Sequence, residues 1–366
     1  MNRLALLALL APLAPAAAHA CGGVFAPVEA EATIAFDTQT ALIHRRPDRV
    51  DVHLRMTIAP GAETFSWVLP APQGATLDLG DDALFDTLDG LTRPVITIEH
   101  VGGGGLCSGD AAAGAGGPPD LDIEELGRIG EYDYAIIATG DATAAVTWLT
   151  DNGFAVPDGA AAAMQPYADA GMDFIGVRLA RPDPDAVRPT PLVVSTPDTT
   201  DELPLYPLGM SRLSAGDTLP VVLYVLGPAR AAVTNADAST VVELADLIRA
   251  DRSLDYEDAT DLLQRDTTEP LWITDAVVVD PDHPDLAALG GRYLTRLSAR
   301  LPPDRIRDVA LAAHPGTEPI DPHQHPTIGE DDGCAALAGG HAPAWALVLL
   351  FGALRLRRRA PRAPSR

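Results

Sequence analysis

The segment Val50–Ile58 reads VDVHLRMTI and decides the fold class. Its apolar residues alternate strictly with Asp, His, Arg and Thr, which is the pattern of a strand with one buried face. A turn at Pro60-Gly61 follows, and Phe65–Leu69 (FSWVL) again places apolar residues on one face. We therefore predict that these two strands form a β-hairpin.

Other short runs rich in β-branched and aromatic residues predict further strands. Together they indicate an α+β fold that is mainly antiparallel β, sandwich-like, with several short helices. The runs are Thr33–Phe36, Ala41–His44, Pro94–Val101, Tyr134–Thr139, Phe174–Leu179, Pro191–Ser195, Pro220–Leu226 and Trp272–Val279.

Four segments have the apolar spacing or the capping residues of short helices. Asp141 can cap the first of them, which ends at Asn152-Gly153. The predicted helices cover residues 141–152, 240–248, 255–265 and 293–297, the last ending before Pro302.

The charge of the chain excludes one class of partner. The 366 residues include 26 basic and 51 acidic ones, for a net charge of −25. A nucleic-acid-binding surface needs a basic patch, so we expect no nucleic-acid partner.

Both ends of the chain indicate export. Residues 1–20 combine Arg3, an apolar stretch and the site Ala18-His19-Ala20, which is the pattern of a cleavable signal peptide. Residues 335–354 are almost entirely apolar and, at about 1.5 Å per residue, long enough to cross a hydrocarbon core of about 30 Å. We predict one C-terminal transmembrane helix and a body outside the cytoplasm, since the arginines behind the helix should stay inside. Those arginines are Arg355, Arg357, Arg358 and Arg359, in a tail of residues 355–366.

Between the two ends the chain divides into a body and a stalk. The body is predicted for residues 21–314, with a candidate subdomain boundary near 102–130, where glycines are dense. Residues 315–334 are rich in Pro, Asp, Glu and His and predict an acidic stalk between the body and the membrane.

The C-terminal end resembles the sorting tail of myxobacterial surface proteins. Gly333-Cys334, an apolar helix and an arginine cluster follow one another in the order found there. The resemblance implies that Cys334 is a processing residue and that a dedicated intramembrane sorting peptidase removes the helix. Of the three cysteines, Cys21 and Cys107 then remain, and in an exported protein they are expected to form a disulfide. Acylation of Cys21 after signal cleavage is the open alternative.

Four ordered motifs resemble an uncharacterised family of exported bacterial proteins, domain of unknown function family 2330. The resemblance covers nearly the whole body and implies no catalytic residues. Its tryptophans, Trp67 and Trp148, are interpreted as core anchors. The motifs are Cys21–Phe25, Phe65–Pro70, the pair Trp148–Pro157 and Ala170–Leu179, and Tyr293–Leu297 with Pro303.

No motif of an enzyme is complete, so we predict no catalytic residue, cofactor or metal. Gly209–Leu213 lacks the second glycine of a nucleophile elbow, and the glycines at 102–105 lack the lysine of a phosphate loop. The clusters His323-Gln-His325 and Asp280–Asp285 are interpreted as solvated polar segments rather than metal sites.

Two functional classes stay open: a non-catalytic binding or structural module of the cell envelope, and an extracellular hydrolase or metal-dependent enzyme. Convergence of polar side chains would favour the second class. The side chains to follow are His44, His53, His100 and Asp133.

Overall fold

The computed structural model describes most of the predicted body. All of the described residues lie in one compact unit made of residues 1–96 and 104–324. They are residues 23–25, 36–58, 66–93, 125–138, 140–152, 156, 158–179, 188–198, 202–236, 238–240, 264 and 270–316.

The described chain contains fifteen strands and three α-helices, with two short 3₁₀ turns at Gly209–Leu213 and Pro303–Arg305. The helices are α1 (Asp82–Thr92), α2 (Ala142–Asp151) and α3 (Ala160–Asp169). The strands are β1 (Gly23–Phe25), β2 (Phe36–Arg45), β3 (Arg49–Ile58), β4 (Ser66–Ala71), β5 (Thr76–Leu79), β6 (Glu125–Ile129), β7 (Tyr132–Ile137), β8 (Asp173–Leu179), β9 (Leu192–Pro197), β10 (Leu219–Gly227), β11 (Ala231–Val233), β12 (Ala238–Thr240), β13 (Leu271–Val278), β14 (Tyr293–Leu301) and β15 (Leu311–Ala313).

The strands form two large sheets and a small two-stranded one. The five-stranded sheet has the order β1-β4-β8-β7-β6, and the eight-stranded sheet has the order β12-β13-β14-β10-β2-β3-β9-β5. The pairing is antiparallel except between β10 and β2 and between β12 and β13. The predicted class, α+β with mainly antiparallel sheets, is therefore confirmed.

The two large sheets face each other across one hydrophobic core. Trp67, Ile175 and Val177 of the five-stranded sheet belong to the same buried cluster as Val52 and Leu223 of the eight-stranded sheet. Helices α2 and α3 cover the other face of the five-stranded sheet, and α1 covers the other face of the eight-stranded sheet. The described body is thus a β-sandwich with helices on both outer faces, which buries the apolar side of every layer.

The β-hairpin predicted from Val50–Ile58 is wrong: both of its strands exist, but they do not pair with each other. β3 pairs with β2 and β9, whereas β4 pairs with β1 and β8 in the other sheet. The alternation in β3 predicted a buried face correctly, since Val50, Val52, Leu54 and Met56 are all in the core. A period-two pattern identifies a strand and its buried face but carries no information on which strand lies beside it.

The helix predicted at Tyr293–Leu297 is also wrong, because this segment begins β14. β14 lies between β13 and β10, and its first five residues are buried. Tyr293 and Leu294 are apolar at successive positions and, with Leu297, imitate the spacing of a helix. The rest of the strand alternates, with Leu297, Ala299 and Leu301 in the core. Leu297 points into the core between the sheets and Leu294 packs under α1.

Among the helices, α2 confirms the prediction from Asp141. The Asp141 carboxylate accepts a hydrogen bond from the Thr143 backbone N–H at 2.8 Å, and the helix ends at Asn152. Helices α1 and α3 were missed, although Leu84, Leu88 and Leu91 already have helical spacing.

Several predictions lie outside the described residues. They concern the signal peptide, the strand 94–101, the helices 240–248 and 255–265, most of the stalk, and residues 335–366. Of the two helices only Thr240, which ends β12, and Gln264 are described. Within the described part of the chain, no helix is both long and apolar enough to cross a membrane.

Candidate functional site

A cleft of about 70 Å³ lies on the outer face of the five-stranded sheet, beside the end of α2. We call it the Trp148 cleft. Trp148 and Asn152 line it from the helix, and Ser66, Asp133 and Arg178 line it from three neighbouring strands.

Strand register brings the three polar strand residues together. Arg178 of β8 lies directly opposite Ser66 of β4 on one side and opposite Asp133 of β7 on the other. Directly opposed residues in antiparallel strands point to the same face of the sheet. The three side chains therefore form a row across the sheet, although 112 residues separate Ser66 from Arg178 in the sequence.

Helix α2 supplies the aromatic wall of the cleft. A Cβ atom added at Gly176 would lie 3.4 Å from the Trp148 ring, at van der Waals distance, so the indole lies close to β8. The Asn152 side-chain amide donates to the Trp148 carbonyl at 2.9 Å and closes the last turn of the helix. The arrangement combines one apolar plane with a few polar groups, which is typical of small-molecule sites.

The charged groups at the cleft form a chain of ion pairs. Asp133 lies 3.4 Å from the Arg178 guanidinium and 3.7 Å from that of Arg128 on β6. The Ser66 hydroxyl lies beside them in a side chain only 1% exposed, and no described group is its hydrogen-bond partner.

A second polar cluster lies on the outer face of the eight-stranded sheet. His44 and Asp51 are opposed across β2 and β3, and His53 is the next residue on the same face. Asp51 accepts hydrogen bonds from Ser195 at 2.6 Å, Arg49 at 2.9 Å and Arg46 at 2.8 Å. Burial alone would raise the pKa of Asp51, but these hydrogen bonds and the two arginine charges hold it below its ordinary value.

Both histidines of this cluster have a pKa below the ordinary value. Burial lowers the pKa of His53 to about 4, against an opposing effect of the Asp51 charge. Burial and the Arg46 charge also lower the pKa of His44, although Asp51 and the Leu289 backbone oppose this. Neither imidazole has a hydrogen-bond partner in acceptable geometry in the described part of the chain.

The structure brings His44 and His53 together but separates them from Asp133. The histidines lie on the outer face of one sheet, and Asp133 lies on the outer face of the other. His100 lies outside the described residues. Ser195 donates to Asp51 rather than to an imidazole, so this cluster does not have the order of a nucleophile–base–acid triad.

The segment Asp280–Asp285 forms hydrogen bonds within its own loop. The Asp282 N–H donates to Asp280 at 2.9 Å, and the Asp285 N–H donates to His283 at 3.2 Å. The Thr87 hydroxyl donates to Asp285 at 3.0 Å. Across the described ranges, no group of three or more His, Cys, Asp or Glu side chains is arranged to hold a metal ion.

The remaining predicted site residues lie outside the described residues. They are the disulfide candidates Cys21 and Cys107, the processing residue Cys334, and the topology residues Arg355, Arg357, Arg358 and Arg359.

The two tryptophans interpreted as core anchors have different surroundings. Trp67 is 1% exposed and lies in the core between the sheets. Trp148 packs against the core under α2 but also lines the cleft. The sequence did not identify Ser66, Asn152 and Arg178 as residues that line a cleft, although all three occur in the family motifs. The one local signal was the charged residue Arg178 within the apolar run of β8.

Comparison with known proteins gives a family but no activity. No curated protein and no solved structure matches the chain. The model of the family described as uncharacterized protein conserved in bacteria, DUF2330, matches residues 15–311. Because this match spans both sheets, the three helices and the Trp148 cleft, the chain belongs to the DUF2330 family of bacterial proteins.

Proposed function

We propose that this chain is an exported cell-envelope protein whose body is a non-catalytic binding module, and that the Trp148 cleft is its ligand site. The cleft carries the proposal, because it joins an aromatic plane to a carboxylate, a guanidinium, an amide and a hydroxyl. A few polar groups of this kind, converging beside an apolar wall, can fix the orientation of a small ligand.

Export is the part of the proposal that comes from the two ends of the chain. The signal-like residues 1–20 would direct the body out of the cytoplasm, and the apolar residues 335–354 would hold it at the membrane. Removal of that helix by a sorting peptidase at Cys334 would release the body to the cell surface. A disulfide between Cys21 and Cys107 suits the same oxidising location.

The position of the polar residues supports binding over hydrolysis. The histidine cluster and the Trp148 cleft lie on opposite outer faces of the sandwich, so the imidazoles cannot act on a ligand in the cleft. Nucleophile and base need to lie within hydrogen-bond reach of each other for acyl transfer.

Co-sedimentation with isolated cell envelopes tests this function. We expect the purified protein to sediment with envelopes of the bacterium that produces it, and Trp148→Ala to reduce the retained fraction about tenfold, as for loss of an aromatic anchor at a binding site. Val278→Ala, at a 47% exposed site of the other sheet, is the control and should be retained like the wild type.

Trp148→Phe keeps an aromatic wall and should retain part of the binding. Thermal melting of every variant separates loss of binding from loss of folding. Retention of Trp148→Ala at the wild-type level would exclude the cleft as the ligand site. Failure of the wild type to sediment would contradict the envelope-binding function itself.

A further inference from the structure

The charged groups at the Trp148 cleft are engaged with one another. Asp133 accepts a hydrogen bond from Arg178 at 3.4 Å and lies 3.7 Å from the Arg128 guanidinium. A charged ligand would have to compete with these ion pairs, whereas a neutral ligand leaves them intact. A neutral ligand is also indifferent to the net charge of −25 on the chain. The electrostatics of the cleft therefore favour a neutral polar ligand.

Asp133 keeps acceptor capacity beside its two arginines. An ionised carboxylate has about four acceptor positions on its two oxygens. Both guanidinium distances exceed the length of about 2.7–2.9 Å that is usual for a charge-assisted hydrogen bond, and the Asp133 side chain is 31% exposed. The arginines thus fix the position of the carboxylate, and its oxygens can still accept hydrogen bonds from a ligand in the cleft.

Asn152 contributes a second acceptor at the end of α2. Its side-chain amide donates to the Trp148 carbonyl oxygen at 2.9 Å. This bond fixes the amide plane and uses only the nitrogen, so the Oδ1 atom keeps its capacity to accept a hydrogen bond. The cleft therefore combines a charged acceptor from β7 with a neutral acceptor from the helix.

Trp148 supplies an apolar plane of fixed position. The indole is half-buried, lies close to Gly176 and lines the cleft together with Ala135 and Val177. The face of an aromatic ring carries negative partial charge. The C–H groups of a saturated ring that bears oxygen substituents carry positive partial charge, so such a ring is attracted to the indole face as well as excluded from water by it.

We infer that the Trp148 cleft binds a neutral sugar ring of a cell-envelope polysaccharide, an inference that rests on the function proposed above. A pyranose presents a C–H face to the indole and hydroxyl groups at its edge, which donate to the Asp133 carboxylate and to the Asn152 Oδ1 atom. Binding of this kind leaves every ion pair of the cleft in place. The cleft volume of about 70 Å³ restricts the buried part of the ligand to one ring.

Six small probes test the ring, its hydroxyl groups and its charge. Three are neutral methyl glycosides, of glucose, galactose and N-acetylglucosamine, which differ at C2 or C4. Glycerol has hydroxyl groups without a ring, cyclohexanol has a ring with a single hydroxyl group, and methyl glucuronide has a carboxylate. The readout is the NMR signal of the Trp148 indole N–H in the purified full-length protein, assigned with Trp148→Phe, in a detergent whose head group contains no sugar.

At least one neutral glycoside should shift this signal and bind at least about tenfold more tightly than glycerol or cyclohexanol, a difference of about 1.4 kcal/mol. The order of the three glycosides identifies the sugar that fits. Methyl glucuronide should bind no more tightly than methyl glucoside. The affinity of the neutral glycosides should be the same at about 0.05 M and about 0.5 M salt, because screening acts on charged ligands.

Variants locate the two acceptors. Asp133→Asn should weaken binding of the glycoside about tenfold, because a hydrogen bond to a charged acceptor is stronger than one to a neutral acceptor. Asn152→Ala should weaken it about fivefold. Asp89→Asn is the matched control for the carboxylate: its side chain is 33% exposed, lies 3.4 Å and 3.8 Å from two arginines, and belongs to the other outer face. Asn235→Ala is the control for the amide, since that side chain hydrogen-bonds backbone groups outside the cleft. Both controls should bind like the wild type.

The outcomes separate this inference from the proposed function. Binding of every neutral glycoside at the level of glycerol or cyclohexanol overturns the sugar inference, and so does tighter binding of the glucuronide or a strong dependence on salt. Equal weakening by Asp133→Asn and Asp89→Asn would place the effect outside the cleft and would also overturn it. The envelope sedimentation of wild type and Trp148→Ala decides the proposed function independently, because it assumes nothing about the chemistry of the ligand. Thermal melting of every variant separates loss of binding from loss of folding.

Discussion

At the scale of single residues, burial makes the stability of the described body depend on pH through two histidines, His44 and His53. Both have pKa values below the ordinary value, that of His53 at about 4, because burial disfavours the imidazolium form. The unfolded chain therefore binds more protons than the folded chain as the pH falls from about 6.5 to about 4. The contribution of these histidines to the free energy of unfolding is fully present above this window and is lost as the pH falls through it.

We expect the free energy of unfolding to fall by about 1–3 kcal/mol through His53 between pH 6.5 and 4. The measurement is urea unfolding at a series of pH values. His53→Asn removes the titrating group and should flatten the dependence on pH in this window. His314→Asn lies outside the cluster and serves as the control; an unchanged slope in His53→Asn would contradict the assignment.

At the scale of elements, α1 holds the outer face of the eight-stranded sheet. Its Phe85 and Leu88 are fully buried against Leu42, Tyr224 and Leu294. The Asp81 carboxylate caps the helix by accepting a hydrogen bond from the Ala83 N–H at 2.9 Å. The helix also pairs with the sheet through charge, since its Asp89 accepts a hydrogen bond from the Tyr224 hydroxyl at 3.2 Å and lies 3.8 Å from Arg296.

Leu88→Ala should lower the free energy of unfolding by about 2–5 kcal/mol, because it removes buried methyl groups and leaves a cavity. Asp81→Ala should cost about 1 kcal/mol through loss of the cap. Leu79→Ala makes the same truncation at a 38% exposed site and should have a much smaller effect. Equal losses in Leu88→Ala and Leu79→Ala, measured by urea unfolding, would mean that α1 contributes little to this face.

At the scale of the whole molecule, the location that we propose for the body depends on the predicted C-terminal tail. An apolar helix satisfies its own backbone hydrogen bonds in the bilayer, and arginines behind it resist translocation. Cys334→Ala should therefore leave insertion intact but block maturation, so that the full-length chain accumulates in the membrane. Fractionation with one tag after Arg366 and another in the 102–119 segment measures this; normal maturation of Cys334→Ala would contradict a processing role. Replacement of the four arginines by neutral residues is the complementary variant. It should weaken retention of the chain in the membrane while leaving Cys334 itself unchanged.

The sequence by itself determined the features that depend on neighbouring residues. The alternation in Val50–Ile58 identified a strand and its buried face, and Asp141 identified the start of α2, because side-chain direction and helix capping are local properties. The incomplete enzyme motifs and the acidic net charge could likewise be recognised from the sequence without the structure.

Only the tertiary structure decided which strands are neighbours and which side chains meet. β3 and β4 follow each other in the chain yet lie in different sheets. The start of β14 imitates helical spacing because Leu294 is buried under α1 while Leu297 is buried between the sheets. The Trp148 cleft depends on the same pairing, since Ser66, Asp133 and Arg178 come from three separate segments. Strand register is set by contacts between residues distant in sequence. A shift of the register by one residue would turn these side chains to the opposite face of the sheet.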